Sequence, residues 1–332
     1  MPRCVRRISR RRLLRIGGAG VAGAALLGVS GCGGTGGRGA PERTRAVKHA
    51  LGSAKVPVEP RRVVVMDPYA SLQTALAIGS PVVGSPTFPG EPFPRFLGEK
   101  ETAKIEGLGY DQPSIEKIAA LKPDLIVGWV DWIEYHEAYD ELSEIAPTVA
   151  VRSSFDWKEN SRVVADSLNR RGEMEDLISD YEARVRRLNE ALNETPEKPE
   201  VSVLKPREDM LEVYTNRFYA GRILEEAGVR RPKNQVVDDP EKSSLELSLE
   251  TVTEADADVI FLMVGGGGED ERAARDALKR LESGPLWGRL RAVRSGRVHE
   301  VDPNAWFITG GPQAANVVLD DLEKHLVKGN AR

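Results

Sequence analysis

An α/β body of two lobes, each with a central mainly parallel sheet and the two joined by a single long rigid helix, is the fold class this chain predicts. Three observations carry it. Short apolar runs alternate with helical periods on both sides of the midpoint. A helix-then-strand pattern occurs twice, 134 residues apart. One amphipathic stretch of about five turns lies between the halves.

The first copy of the pattern is PSIEKIAALKPDLIVG, Pro113 to Gly128. Ser114 is a good N-cap, since its hydroxyl can accept from an orphan N–H of the first turn. Glu116 then lies where a carboxylate suits the positive end of the helix dipole. Ile115, Ile118, Ala119 and Leu121 share a face, and Pro123 stops the helix. Asp124 opens the apolar run LIVGW, which reads as a buried strand. The second copy is LSLETVTEADADVIFLMV, with Ser248, Glu250, Asp258 and Ile260 matching Ser114, Glu116, Asp124 and Ile126. It predicts a second Ser-Glu helix before a strand at Val259–Val264.

From the start, residues 1–31 carry seven arginines and no acid. Ser9-Arg10-Arg11-Arg12-Leu13-Leu14-Arg15 fits a twin-arginine signal. A Gly/Ala-rich apolar run follows, too short and too glycine-rich for a good transmembrane span. Val29-Ser30-Gly31-Cys32 resembles a bacterial lipobox, which makes Cys32 the expected lipidation site. Acyl chains there would anchor the protein at the outer face of the cytoplasmic membrane. Residues 32–55 read as a flexible tether. The β-α alternation of 56–170 reads as the N-terminal lobe, with strands at Val63–Met66, Pro81–Gly84 and Thr148–Val151. Trp157 to Leu192 reads as helix broken near Arg171-Gly172, and 171–195 as the connecting helix. Residues 196–332 read as the C-terminal lobe. There, Leu211–Tyr214 can pair with Val201–Leu204, and Pro312–Leu326 is a closing helix.

Composition excludes several functions. The whole chain has a formal net charge of −4, and without the leader's seven arginines 40 basic residues face 51 acidic ones, a balance near −11. That argues against nucleic acid as partner. The two cysteines, Cys4 and Cys32, both lie in the export region, so the folded part has no disulfide and no thiolate metal site. The four histidines, His49, His136, His299 and His325, show no metal-ligand spacing. No metal and no cofactor is expected. There is no G-x-S-x-G elbow, so no enzyme is expected.

Several segments together resemble the iron-siderophore substrate-binding proteins of ABC importers, a family that includes vitamin B12 and haem binders. They are PRRVVVMDPYASLQTALAIGSPVVG, PSIEKIAALKPDLIVG, SEIAPTV, FDWKENSRVVADSL, FYAGRILEEAGVRRP and PLWGRLRAVRSGRVHEVDPNAW, which cover most of residues 58 to 326 in the expected order. The resemblance implies a class III periplasmic-binding fold, a ferric siderophore held between the lobes, and a monomer that delivers it to a permease with its ATPase. It also implies that a glutamate on each lobe, here Glu116 and Glu250, docks into basic pockets of the permease. Haem or vitamin B12 is the alternative ligand. A surface-anchored enzyme or sensor is the more distant one.

Ligands of open α/β sheets bind beyond the carboxyl ends of the strands. In the first lobe those ends give Tyr69, Thr87, Phe88, Tyr110, Trp129, Trp132 and Arg152. In the second they give Lys205, Arg207, the Gly265–Gly268 loop and Trp306, with Tyr214 and Arg217 nearby. Aromatic walls and a few fixed cations match an anionic iron chelate. The glycine run lacks the order of a phosphate loop and reads as a flexible cleft rim. Trp157 and Trp287 read as packing residues.

Overall fold

The computed structural model describes residues 43–328, apart from 91, 111–112, 131–137, 153, 196–197, 267 and 308–309. The export segment with Cys32, the first part of the expected tether, Trp132 and Gly267 therefore lie outside the described residues. A hairpin of β1 (Thr44–His49) and β2 (Gly52–Pro57) comes first. The first lobe runs β3 (Val63–Val65), α1 (Ala70–Ala77), β4 (Val82–Ser85), α2 (Glu99–Thr102), β5 (Glu106–Gly107), α3 (Ile115–Ala120), β6 (Leu125–Trp129), α4 (Tyr139–Ile145) and β7 (Thr148–Val151). Then come α5 (Trp157–Ser167) and the 24-residue connecting helix α6 (Arg171–Glu194). The second lobe runs β8 (Val201–Pro206), β9 (Met210–Tyr214), α7 (Tyr219–Glu226), β10 (Ser244–Ser248), β11 (Val259–Met263), α8 (Glu271–Ser283), α9 (Arg291–Arg294), β12 (Val298–Val301), α10 (Pro303–Trp306) and α11 (Pro312–Leu322).

Each lobe has its own five-stranded sheet. The orders are β5-β4-β3-β6-β7 and β10-β9-β8-β11-β12, the same spatial order counted from each lobe's first strand. The first sheet is parallel throughout. In the second, β8, β11 and β12 are parallel while β9 runs antiparallel to both β8 and β10. The connections explain the difference. A helix returns the chain from β3 to β4, whereas β8 reaches β9 through a tight turn closed by Arg207 N–H to Met210 O at 2.9 Å, and such a turn only permits an antiparallel pair.

Side-chain alternation on the strands builds three cores. Val63, Val65, Leu125 and Val127 of the first sheet share one apolar cluster with Val201, Val203, Val259 and Phe261 of the second. The helices α1, α5, α6, α7 and α11 fill the space between them, through Leu72, Val164, Tyr181, Ile223 and Val318 among others. The opposite face of each sheet is covered locally, by Ile118 and Leu142 in the first lobe and by Leu278 and Trp287 in the second. One continuous core thus runs through both lobes. Trp157 and Trp287 are buried in it and beside it, 3% and 7% exposed, as packing residues are.

Three expectations need correction. The tether does not extend to Lys55, because Thr44–Pro57 forms the hairpin, whose Val47 and Val56 are buried in the shared core. The break in the long helical stretch falls at Leu168–Arg170, where Asn169 takes φ +56°, and Gly172 lies inside α6. The second Ser-Glu helix is not an α-helix. Ser248 pairs with Met210 as the last residue of β10, so it is not free to start a helix, and only a short 3₁₀ turn, Val252–Ala255, follows. In the first copy Ser114 does cap α3, its hydroxyl accepting from Lys117 N–H at 3.2 Å.

The two matching aspartates keep an equivalent role. Asp124 accepts from the backbone N–H groups of Arg61 and Arg62 at 2.7 and 3.0 Å, just before β3. Asp258 accepts from Glu200 N–H at 2.8 Å, just before β8. Each carboxylate at the entry of a lobe's fourth strand in sequence thereby fixes the entry of its central strand. The repeated pattern records this shared wiring.

Candidate functional site

In each sheet the strand order reverses beside the lobe's first strand, where connections leave in opposite directions and open a crevice. That crevice lies between β3 and β6 in the first lobe and between β8 and β11 in the second. The residues at or just past the ends of these strands are Asp67–Tyr69, Trp129, Lys205–Arg207 and, of the described loop residues, Gly265, Gly266, Gly268 and Glu269.

The first lobe contributes an aromatic wall. Tyr69, at the N-cap of α1, stacks on Trp129 with centroids 5.5 Å apart and planes at 26°. Phe88, on the loop after β4, lies 5.3 Å from Tyr69 and 5.6 Å from Tyr110. The Tyr69 and Tyr110 hydroxyls are 3.1 Å apart and share a hydrogen bond. Beneath Tyr69, Asp67 is fully buried. Burial pushes its carboxyl up to about 6, against the opposing pull of the Ser71 hydroxyl and the N–H groups of Ser71, Tyr69 and Trp129.

The second lobe contributes charge. Lys205, the penultimate residue of β8, is only 1% exposed, an unusual place for a lysine. Its ammonium donates to Gly265 O at 2.8 Å, stands 2.9 Å from Glu269 Oε2, and lies 3.9 Å from the Phe307 ring centroid. Desolvation lowers its pKa, and Glu269 opposes that shift. Arg207 donates through Nε to Glu212 Oε2 at 2.6 Å, and its Nη1 is 3.2 Å from Glu269 Oε2. Tyr214 donates its hydroxyl to the same Glu212 oxygen at 2.7 Å. Two cations and two carboxylates therefore face one another, closed on one side by Phe307.

The two walls meet at the glycine loop. Gly268 takes φ +83°, and a Cβ there would stand 3.0 Å from Tyr110 Cε1 and 3.3 Å from Pro89 Cδ. A side chain at this position would push the loop off the aromatic wall.

The structure thus brings Tyr69, Phe88, Tyr110 and Trp129 together on one side, and Lys205, Arg207 and Tyr214 on the other. It separates two expected residues from them. Trp306 is fully buried, packs on Phe261 at 4.6 Å, and donates Nε1–H to Asp321 Oδ2 at 2.8 Å. It belongs to the core, because α10 turns its last residue inward. Arg217 donates to the carbonyls of Val237 at 2.9 Å and Asp238 at 3.3 Å, and so ties down a loop. Arg152 is exposed at the end of β7. Sequence reading missed Glu212, Glu269 and Phe307. For Phe307 a signal exists, since it directly follows Trp306 at the same turn. Glu269 follows the glycine run directly, and only the fold shows that it turns back onto Lys205.

Glu116 and Glu250 are both exposed. Glu116 accepts from the Ser114 hydroxyl at 3.0 Å, and its own N–H and that hydroxyl hold its pKa below the usual carboxylate range.

Comparison with known proteins places the chain in a family. The model of the periplasmic binding protein family matches residues 63–305, and the chain belongs to that family. A probable siderophore-binding lipoprotein of Bacillus subtilis (strain 168), YfiY, is 33% identical over 297 residues, which cover 86% of this chain and 89% of that one. The achromobactin-binding periplasmic protein of Dickeya dadantii (strain 3937) is 29% identical over 270 residues, covering 80% and 86%. Among solved structures, Staphylococcus aureus SirA complexed with staphyloferrin B superposes with a TM-score of 0.72 at 27% identity, covering 85% of this chain and 98% of that one. The two-lobed α/β fold with one long connecting helix agrees with these relatives.

Proposed function

We propose that this protein is the substrate-binding lipoprotein of an ABC importer. It captures a ferric siderophore between its lobes and delivers it to a permease with its ATPase. The observation that carries the reading is the facing of an aromatic wall at one sheet's crevice and a cation-bearing wall at the other's. An iron chelate presents flat organic surface and anionic oxygens, and those two walls match the two features. The named ligands of the relatives point the same way. Tyr69, Phe88, Trp129, Lys205, Arg207 and Tyr214 are the proposed ligand residues. Glu116 and Glu250 are the proposed permease contacts. Export follows the twin-arginine route, and Cys32 carries the lipid that holds the monomer at the outer face of the membrane.

The protein does no covalent chemistry in this reading. Lys205 and Arg207 are engaged in ion pairs, and among the described residues of the cleft no nucleophile is hydrogen-bonded to a base. The shared core between the lobes supports a small closing motion rather than a wide hinge.

The test is titration of intrinsic tryptophan fluorescence against ferric siderophores of each chelating class, haem and cobalamin. Saturable quenching by a ferric chelate at micromolar concentration or below is expected. Quenching by haem or cobalamin alone overturns the ligand assignment. Silence toward every compound overturns the receptor reading.

A further inference from the structure

We infer that Glu269 is an internal stand-in for a ligand carboxylate, so that the chelate this cleft selects carries free carboxylate groups that replace it on Lys205 and Arg207. The inference rests on the proposed receptor function and adds a ligand class to it.

The argument starts from the buried lysine. An ammonium with 1% exposure requires a counter-charge, because desolvation alone makes it very costly. A single oxygen, Glu269 Oε2, supplies that charge to Lys205 at 2.9 Å and to Arg207 at 3.2 Å. The two donors converge on one point, as they would on one oxygen of a bound carboxylate.

The second carboxylate in the group is held differently. Glu212 sits on β9, inside the sheet, and accepts from Arg207 Nε at 2.6 Å and from the Tyr214 hydroxyl at 2.7 Å. It is a fixed part of the wall. Glu269 lies in a loop whose described glycines, Gly265, Gly266 and Gly268, all take positive φ. Among the described residues its carboxylate has no partner other than these two cations. Its side chain is 27% exposed, against 1% for Lys205, while Oε2 itself is buried against the two cations and accepts no hydrogen bond there, so the acid is partly open to solvent and held by charge alone.

The consequence is selective. A ligand carboxylate exchanges with Glu269 charge for charge, and the buried ammonium stays paired throughout. A neutral chelate gains nothing from Lys205 and Arg207, which remain engaged by Glu269. A tris-catecholate has its anionic oxygens on the iron and offers no free carboxylate for this point. Phe307, 3.9 Å from the ammonium, closes the far side and favours a ligand group that enters from the aromatic wall.

The experiment compares wild type with Glu269→Gln in titrations with ferric citrate, a neutral ferric tris-hydroxamate and a ferric tris-catecholate. The glutamine keeps the shape and removes the competing charge. Affinity for ferric citrate is expected to rise about tenfold, with the hydroxamate and the catecholate unchanged. A thermal melt is run in parallel. Should Glu269→Gln fold poorly, Glu269→Asp keeps the charge but shortens its reach, and a smaller gain confined to ferric citrate is expected. Equal gains for all three chelates, a gain for the catecholate as large as for citrate, or a loss for citrate each overturn the inference. If wild type binds a chelate and neither variant changes selectivity, the stand-in fails while the receptor reading survives. If wild type binds none of the three, it is the receptor reading that fails.

Discussion

Gln73 Oε1 accepts a hydrogen bond from the backbone N–H of Gly311 at 2.8 Å, and this bond joins the two lobes. Gln73 lies on α1 of the first lobe and is 1% exposed. Gly311 is the N-cap of α11, the closing helix of the second. The same oxygen also accepts from Ala314 N–H at 3.2 Å, and Gln313 Nε2 donates back to Gln73 O at 3.1 Å. A helix start has orphan N–H groups, and here a side chain from the other lobe satisfies two of them. Gln73→Ala would leave those donors buried without a partner. We expect a loss of about 1–3 kcal/mol in urea unfolding at pH 7, with a single cooperative transition retained.

Gly311 gives an independent check on the same brace. A Cβ there would stand 2.8 Å from Gln73 Cβ and 3.3 Å from Thr74 N. The backbone is extended at φ −115°, so crowding alone is at issue. Gly311→Ala should therefore force α11 away from α1 and destabilise by about 1–3 kcal/mol. An unchanged midpoint would mean that the lobes separate there at little cost.

How far the sequence discloses this molecule depends on where each signal lives. The buried strands Val63–Val65, Leu125–Trp129 and Val259–Met263 are visible because a parallel sheet covered on both faces needs unbroken apolar runs. The connecting helix is visible because Met174, Ile178, Tyr181, Val185 and Leu188 all turn inward at helical spacing. The hairpin of Thr44–Pro57 is not visible, since few of its inward residues are apolar and its support comes from the shared core. Ser248 misleads for a related reason. A local Ser-x-Glu signature was outweighed by pairing with Met210, which is 38 residues away. The aromatic wall was legible from strand ends alone. The charged wall was legible only by half, because the partners of Lys205 and Arg207 come from a neighbouring strand, Glu212, and a loop, Glu269, whose placement is set by the fold.

Asp67 leads to a prediction about pH. Its carboxyl is raised from the ordinary 3.8 to about 6 by burial. The folded protein therefore holds this proton more tightly than the unfolded chain does. Stability from this group is fully present below pH 3.8 and falls as pH rises through 6, a difference of about 3 kcal/mol. Asp67→Asn removes the charged form. Its stability relative to wild type should grow between pH 4 and pH 6 and then level off. Urea unfolding of both proteins at pH 4, 5, 6 and 7 measures this. A difference that does not vary with pH would show that Asp67 is charged in both states.

The histidine pair at the far edge of the second lobe acts with the opposite sign. His299 and His325 stack with centroids 3.9 Å apart and planes at 25°. Burial, then the neighbouring His325, lowers His299 to about 4, below the ordinary 6.5. The folded state binds this proton more weakly, so the associated stability is lost as pH falls from 6.5 towards 4. His299→Phe keeps a ring beside His325 and Phe261 and removes that titration. The variant should gain on wild type progressively as pH drops through this window, read as the difference in melting temperature between pH 7 and pH 4.5.

The stacked pair Tyr69 and Trp129 separates the optical signal from the binding energy. Among the described tryptophans, Trp157, Trp287 and Trp306 are all buried at packing positions, so of these four Trp129 is expected to report the ligand. Trp129→Phe retains an aromatic face and should reduce the quenching while weakening a ferric chelate less than about fivefold. Trp129→Ala also removes the ring contact with Tyr69, and a loss of about 1–2 kcal/mol in affinity is expected. Isothermal titration measures both without relying on fluorescence. Equal affinities for wild type and Trp129→Ala would remove the aromatic wall from the ligand site.

Glu116 and Glu250 differ in local structure, and that makes the docking role proposed for both testable. Glu116 lies in the first turn of a capped helix, whereas Glu250 follows a strand and precedes a 3₁₀ turn. If each acid served only its local backbone, the two would have little reason to behave alike. Docking onto a two-fold basic surface of a permease asks only that one acid project from each lobe. Charge reversal at either position, Glu116→Lys or Glu250→Lys, should therefore reduce chelate uptake in cells that depend on this importer, and the double variant should abolish it. Affinity for the free chelate should stay within about twofold of wild type, since neither residue lies near Lys205 or Tyr69 in the contacts described. Uptake by the double variant at the wild-type rate would remove both residues from the docking surface, and a collapse of chelate affinity would place them in the ligand site instead.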